Sequence, residues 1–93
     1  MSGARGLVRL YVAGPSPRTE AAWHTVQTAC KVASTPRFDV ELVDVSERPD
    51  EARRAGIMLT PALVRINRGE ERRWLGDFTD VEAVARALVS DDV

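Results

Sequence analysis

Ninety-three residues with thirteen basic and fourteen acidic side chains, a net charge of −1 and 44% apolar content make one domain of ordinary soluble composition. A near-neutral balance argues against a nucleic-acid binder, which shows a basic excess or stripe. Cys30 is the single cysteine, which rules out an internal disulfide and a zinc cluster.

In chain order, residues 1–6 read as a disordered start. Leu7–Ala13 reads as a buried strand, with Val8, Leu10 and Val12 on one face and Leu7, Arg9 and Tyr11 on the other. A turn at Gly14-Pro15 leads into a helix from Pro17 to Ser34, with Ser16 as its cap and Pro17 in its first turn. Ala22, Val26, Ala29, Cys30 and Ala33 fall on one side of it, and Pro36 ends it. Phe38–Val45 alternates as a second strand, and the long crossover makes it parallel to the first. A short helix spans Pro49–Ala55, followed by Gly56. Ile57, Met58 and Leu59 lead into Thr60-Pro61, a candidate cis peptide, and then into a strand over Ala62–Asn67. Asn67-Arg68-Gly69-Glu70 is a hairpin turn, and Glu71–Leu75 returns antiparallel. Thr79 and Glu82 have capping-box spacing ahead of a helix from Asp80 to Val89. Val81, Val84, Ala85 and Leu88 form its inner face. Residues 90–93 are a short acidic tail. No leader is visible at the start, and no run approaches the ~18 apolar residues of a membrane span. A cytoplasmic protein is expected.

The order βαβαββα, with a parallel pair, a hairpin and helices for both faces, predicts a thioredoxin-like α/β fold, with Pro61 at its cis-proline. Thiol–disulfide exchange in that fold needs Cys-x-x-Cys at the first helix start. Here those positions are Ser16-Pro17-Arg18-Thr19, and a hydroxyl cannot perform the exchange. Cys30 lies too deep in the helix to substitute. His24, the only histidine, is two turns from Ser16 along the same helix, too far to activate it. Neither a phosphate loop nor a metal-ligand spacing is present. The sequence therefore predicts no enzyme, cofactor or metal. Arg65, Arg68, Arg72 and Arg73 gather on the hairpin beside Trp74. They form either a contact for an acidic partner or a solvated edge that resists strand pairing. Trp23 is either a partner anchor or core.

Leu10-Tyr11-Val12-Ala13-Gly14 with Ser16-Pro17, Val43-Asp44-Val45 with Pro49, Leu59-Thr60-Pro61-Ala62-Leu63, and Arg72-Arg73 with Leu75-Gly76-Asp77-Phe78 together resemble the KaiB family of circadian-clock proteins. The resemblance covers residues 7–89. It implies a non-enzymatic interaction module that docks on the ring-shaped ATPase KaiC or serves a related signalling kinase, in clock or stress-response regulation. In full clocks it also implies capture of KaiA, with no nucleic acid and no membrane as partner. It further implies two folds: a thioredoxin-like monomer and a tetramer folded βαββααβ, with Gly76, Asp77 and Pro61 at the switch. The expected partner contacts are Trp23, Arg48, Arg53, Arg54, Arg72 and Arg73. Asn67-Arg68-Gly69 replaces the proline run of clock-type members, which favours the hairpin and hence the thioredoxin-like form. Glu47 stands where those members carry a basic residue, and the acidic tail is shorter. Two alternatives accompany this reading: a thioredoxin-fold redox protein that has lost its cysteines, and a self-associating scaffold.

Overall fold

The computed structural model describes residues 6–33 and 38–89. Its elements are β1 (Gly6–Val12), α1 (Pro17–Val32), β2 (Phe38–Asp44), α2 (Pro49–Ala55), β3 (Ala62–Asn67), β4 (Glu70–Leu75) and α3 (Val81–Val89). One four-stranded sheet has the order β2-β1-β3-β4. β1 and β2 run parallel, with Leu10 opposite Leu42, and the β3–β1 and β3–β4 pairs are antiparallel. This is the expected thioredoxin-like arrangement, and the Thr60–Pro61 bond is cis. The alternative order βαββααβ is not the form described. Gly6 belongs to β1 rather than to a frayed start. Residues 1–5, Pro36 and the 90–93 tail lie outside the described residues.

Alternation along the strands sorts the side chains into two layers. Val8, Leu10, Val12 and Leu63 face α1 and α3. They are buried against Ala22, Val26, Ala29, Val84, Ala85 and Leu88. Tyr11, Val43, Ala62 and Val64 face the other way, under Ala55 and Ile57. α2 has only seven residues, so this second layer is thinner than the first. Thr25, absent from the predicted stripe of α1, is buried beside Val26.

The local signals behave as their chemistry dictates, with one shift. The Ser16 hydroxyl accepts from the Thr19 amide at 3.1 Å and caps α1. The β3–β4 turn places Arg68 at φ 55° and Gly69 at φ 82°, the double positive φ of a two-residue hairpin. At α3 the expected Thr79 cap is displaced by one residue. The Asp80 carboxylate instead accepts from the amides of Glu82 at 3.0 Å and Ala83 at 3.2 Å. A carboxylate at the positive end of the helix caps better than a threonine hydroxyl.

Candidate interaction surface

The β1–α1 junction, where relatives of this architecture hold their thiols, is a structural knot. The Thr19 hydroxyl donates to the Gly14 carbonyl at 2.8 Å, and the Ser16 hydroxyl is engaged with Thr19. The Asp44 carboxylate at the end of β2 accepts from the Gly14 amide at 3.0 Å and from both the amide and hydroxyl of Ser46. The Ser46 hydroxyl is the main reason its pKa sits below the usual carboxylate range. The Ser16 and Thr19 hydroxyls and the Asp44 carboxylate of this corner thus each have a structural partner. Cys30 is half-buried, and burial pushes its thiol up to about 11. A thiol so protonated is a poor nucleophile. His24 is exposed on α1, as a solvated helix histidine would be. Among the described residues no group of three or more His, Cys, Asp or Glu is placed to hold a metal. None of their helices is long and apolar enough to cross a membrane.

What the surface offers is contact. Beside the cis proline, Met58 is 92% exposed, Leu59 65% and Leu75 62%. Two cavities adjoin them. One, of about 350 Å³, is lined by Gly56, Ile57, Met58, Leu59, Ala62, Arg73 and Leu75. The other, of about 260 Å³, reaches Arg18, Thr60, Pro61 and Asp77. Arg18 and Asp77 close its rim with an ion pair at 2.7 Å. Nothing in the periodicity singled out Met58 and Leu59. The available signal was three apolar residues in a loop with no helical or strand period to bury them.

On the α2 side of the sheet lies a polar groove of about 420 Å³. Arg9 and Glu41 pair across β1 and β2 at 2.8 Å, and Arg48 reaches both Glu41 and Glu51. The Arg9 guanidinium, as hydrogen-bond donor, is the leading cause that holds the Glu41 carboxyl below its usual range. Arg54 and Arg73 line the same groove, and Arg73 pairs with Glu71 at 2.5 Å. Arg53 pairs with Asp50 within α2.

The expected contact residues are therefore divided between two sides. Arg48, Arg53, Arg54 and Arg73 belong to the α2 side. Arg72 shares its face with Trp74, since Leu63, whose neighbours are α1 and α3, pairs with Trp74 and Arg65 pairs with Arg72. Trp23 is half-buried against the α1–α3 core, which fits core better than anchor. The solvated hairpin edge needs a correction at Arg65, which is 2% exposed. Alternation on β3 turns it inward, where its guanidinium donates to the Leu88 carbonyl at 2.8 Å.

A four-stranded mixed sheet with a capped helix after β1, a cis proline before β3 and no thiol at the helix start defines a thioredoxin-like domain lacking that fold's redox pair. The solved structures agree on the fold. The N-terminal domain of SasA from Synechococcus elongatus aligns over 95% of this chain and 83% of its own, with a TM-score of 0.77 at 20% identity. The thioredoxin Deadhead of the fruit fly aligns over 91% of this chain and 79% of its own, with a TM-score of 0.72 at 15% identity. The model of the KaiB domain matches residues 9–89. The circadian clock protein KaiB3 of Synechocystis is 32% identical over 84 residues, spanning 90% of this chain and 82% of that protein. The circadian clock oscillator protein KaiB of Synechococcus elongatus is 31% identical over 82 residues, 88% of this chain and 80% of its own. The chain belongs to the KaiB family.

Proposed function

We propose that this chain is a non-catalytic interaction module in clock or stress-response regulation, docking in the cytoplasm on a KaiC-type ATPase ring or a related signalling kinase. The observation that carries this is the family match over residues 9–89, with clock proteins at about a third identity across most of both chains. The fold shared with the SasA N-terminal domain supports a kinase-linked partner. A corner without thiols and an exposed apolar loop beside it support recognition rather than turnover. Arg48, Arg53, Arg54 and Arg73 form the polar side of the proposed contact, and Met58, Leu59 and Leu75 the apolar side. Arg72 would serve a second face, such as one for a KaiA-like protein, while Trp23 packs on the core. Gly76 and Asp77, together with Pro61, are proposed as the place where the chain re-routes into the family's βαββααβ form.

Pull-down with a KaiC-type ATPase, with and without ATP, tests the partner. Capture is expected, with loss in an Arg54→Glu, Leu59→Asp double variant that still folds. Absence of capture in both nucleotide states would overturn the reading. The scaffold alternative gains support from the same exposed Met58, Leu59 and Leu75, which self-association would cover. Light scattering over a concentration range separates the two, and a dominant monomer removes the scaffold.

A further inference from the structure

We propose that Arg65 is a latch that holds the free end of α3 on the sheet, and that α3 opens about the loop joining it to β4 when the latch is lost. α3 has nine residues, too few to persist as a helix by itself. Its docking is lopsided. Val84, Ala85 and Leu88 bury their side chains in the α1 layer. On the β4 side an open cleft of about 400 Å³ remains, lined by Leu63, Trp74, Phe78, Ala83, Val84 and Ala87 among others.

The tie between β3 and the last described turn of α3 is polar. Arg65 rises from β3 into the apolar layer and donates to the carbonyls of Leu88 at 2.8 Å and Ala87 at 3.4 Å. Those carbonyls belong to the last described turn of α3, toward the negative end of its dipole. The guanidinium lies 5.9 Å from the centre of the Trp74 ring, which fixes its approach from the hairpin side. A leucine would fill this position and bury apolar surface with no charge to desolvate. What the arginine adds is direction: the two bonds from its Nη1 fit only one seating of the helix end.

The other end of α3 has the features of a pivot. Gly76 sits at φ 154° and Phe78 at φ 53°, in a five-residue connection that ends in the Asp80 cap. The first turn of α3 is thus capped by Asp80, while its last described turn is held by Leu88 packing and seated by the Arg65 tie. Release of Arg65 would swing the last turn out and uncover Leu63 and Trp74, with β1, α1 and β2 left in place.

Native-state amide hydrogen exchange on the full chain tests this, with Val84, Ala85 and Leu88 compared against Val8 and Leu10. In Arg65→Leu the α3 amides should exchange at least tenfold faster than in the parent, with the β1 amides changed less than twofold. In a Trp23→Phe background, Trp74 fluorescence should become more accessible to acrylamide. An equal acceleration of α3 and β1 would mean that Arg65 only adds global stability, and no acceleration would mean that packing alone holds the helix. Either result overturns the latch. Should Arg65→Leu not fold, Arg65→Lys enters the same comparison: a rise of at least threefold confined to α3 supports the proposal, and a uniform or absent rise ends it.

Discussion

Replacing Ser16 by alanine asks whether the corner at the head of α1 serves structure or chemistry. The hydroxyl accepts the Thr19 amide at 3.1 Å, and Thr19 keeps its own bond to the Gly14 carbonyl at 2.8 Å. Loss of the acceptor strands one amide at a partly exposed helix start, where water replaces part of the bond. The expected cost is the ordinary one for a cap, about 1 kcal/mol. For a domain of this size that lowers Tm by roughly 4–8 °C. Ser16→Asp should recover most of the loss, because a carboxylate accepts the same amide and also meets the positive end of the helix. Urea unfolding with a shared m-value, alongside partner capture, measures both sides. Capture should survive Ser16→Ala once corrected for the folded fraction. Aspartate less stable than alanine would refute the capping argument. Loss of function at unchanged stability would refute the claim that this corner has no chemical role.

Four further tests follow from the same geometry. Leu88→Ala removes a fully buried side chain between α3 and the sheet, and chemical denaturation should show a loss of about 2–5 kcal/mol; a loss below about 1 kcal/mol would mean that α3 is not part of the core. Asp80→Ala should destabilise more than Thr79→Ala by about 1 kcal/mol, and the reverse order would restore Thr79 as the cap. With its thiol pushed up to about 11, Cys30 is thiolate at pH 7 on the order of one part in 10⁴, so iodoacetamide should label the native protein far more slowly than the urea-unfolded chain. Burial raises this pKa in the fold, so the associated stability is complete below pH 9 and declines as pH climbs toward 11; Cys30→Val should flatten that decline relative to the parent. Glu41 shifts the opposite way, held down chiefly by Arg9. Its contribution is present above the usual carboxylate range and fades as pH falls below it, and Glu41→Gln should lessen acid sensitivity by well under 1 kcal/mol for so exposed a pair.

The architecture was legible because local chemistry and global pattern agree along nearly the whole chain. Alternation at Val8, Leu10 and Val12, the Ser16-Pro17 start and the Asn67-Arg68-Gly69 turn each demand one local structure, and together they favour the thioredoxin-like topology over the βαββααβ alternative. Arg65 was misjudged because charge and alternation conflict there. A charged residue is expected at the surface, yet its β3 register points it inward, where the carbonyls of α3, more than twenty residues later, accept its guanidinium and help make that placement tolerable. The proposed contact surface is only partly legible in the sequence. The basic residues of α2 were visible as charge, but which face of the sheet Arg72 and Arg73 serve depends on strand register. Met58 and Leu59 were passed over because exposure of apolar residues in a loop is a property of the finished surface and not of the pattern.

The stacking of α1 on α3 has a consequence for synthesis. The inner face of α1 is in place once about a third of the chain exists, but Leu88, which helps cover it, lies near the C-terminal end of the described residues. A nascent chain leaving the ribosome must therefore carry the α3-facing part of α1 uncovered until α3 has emerged, more than fifty residues after Ala29.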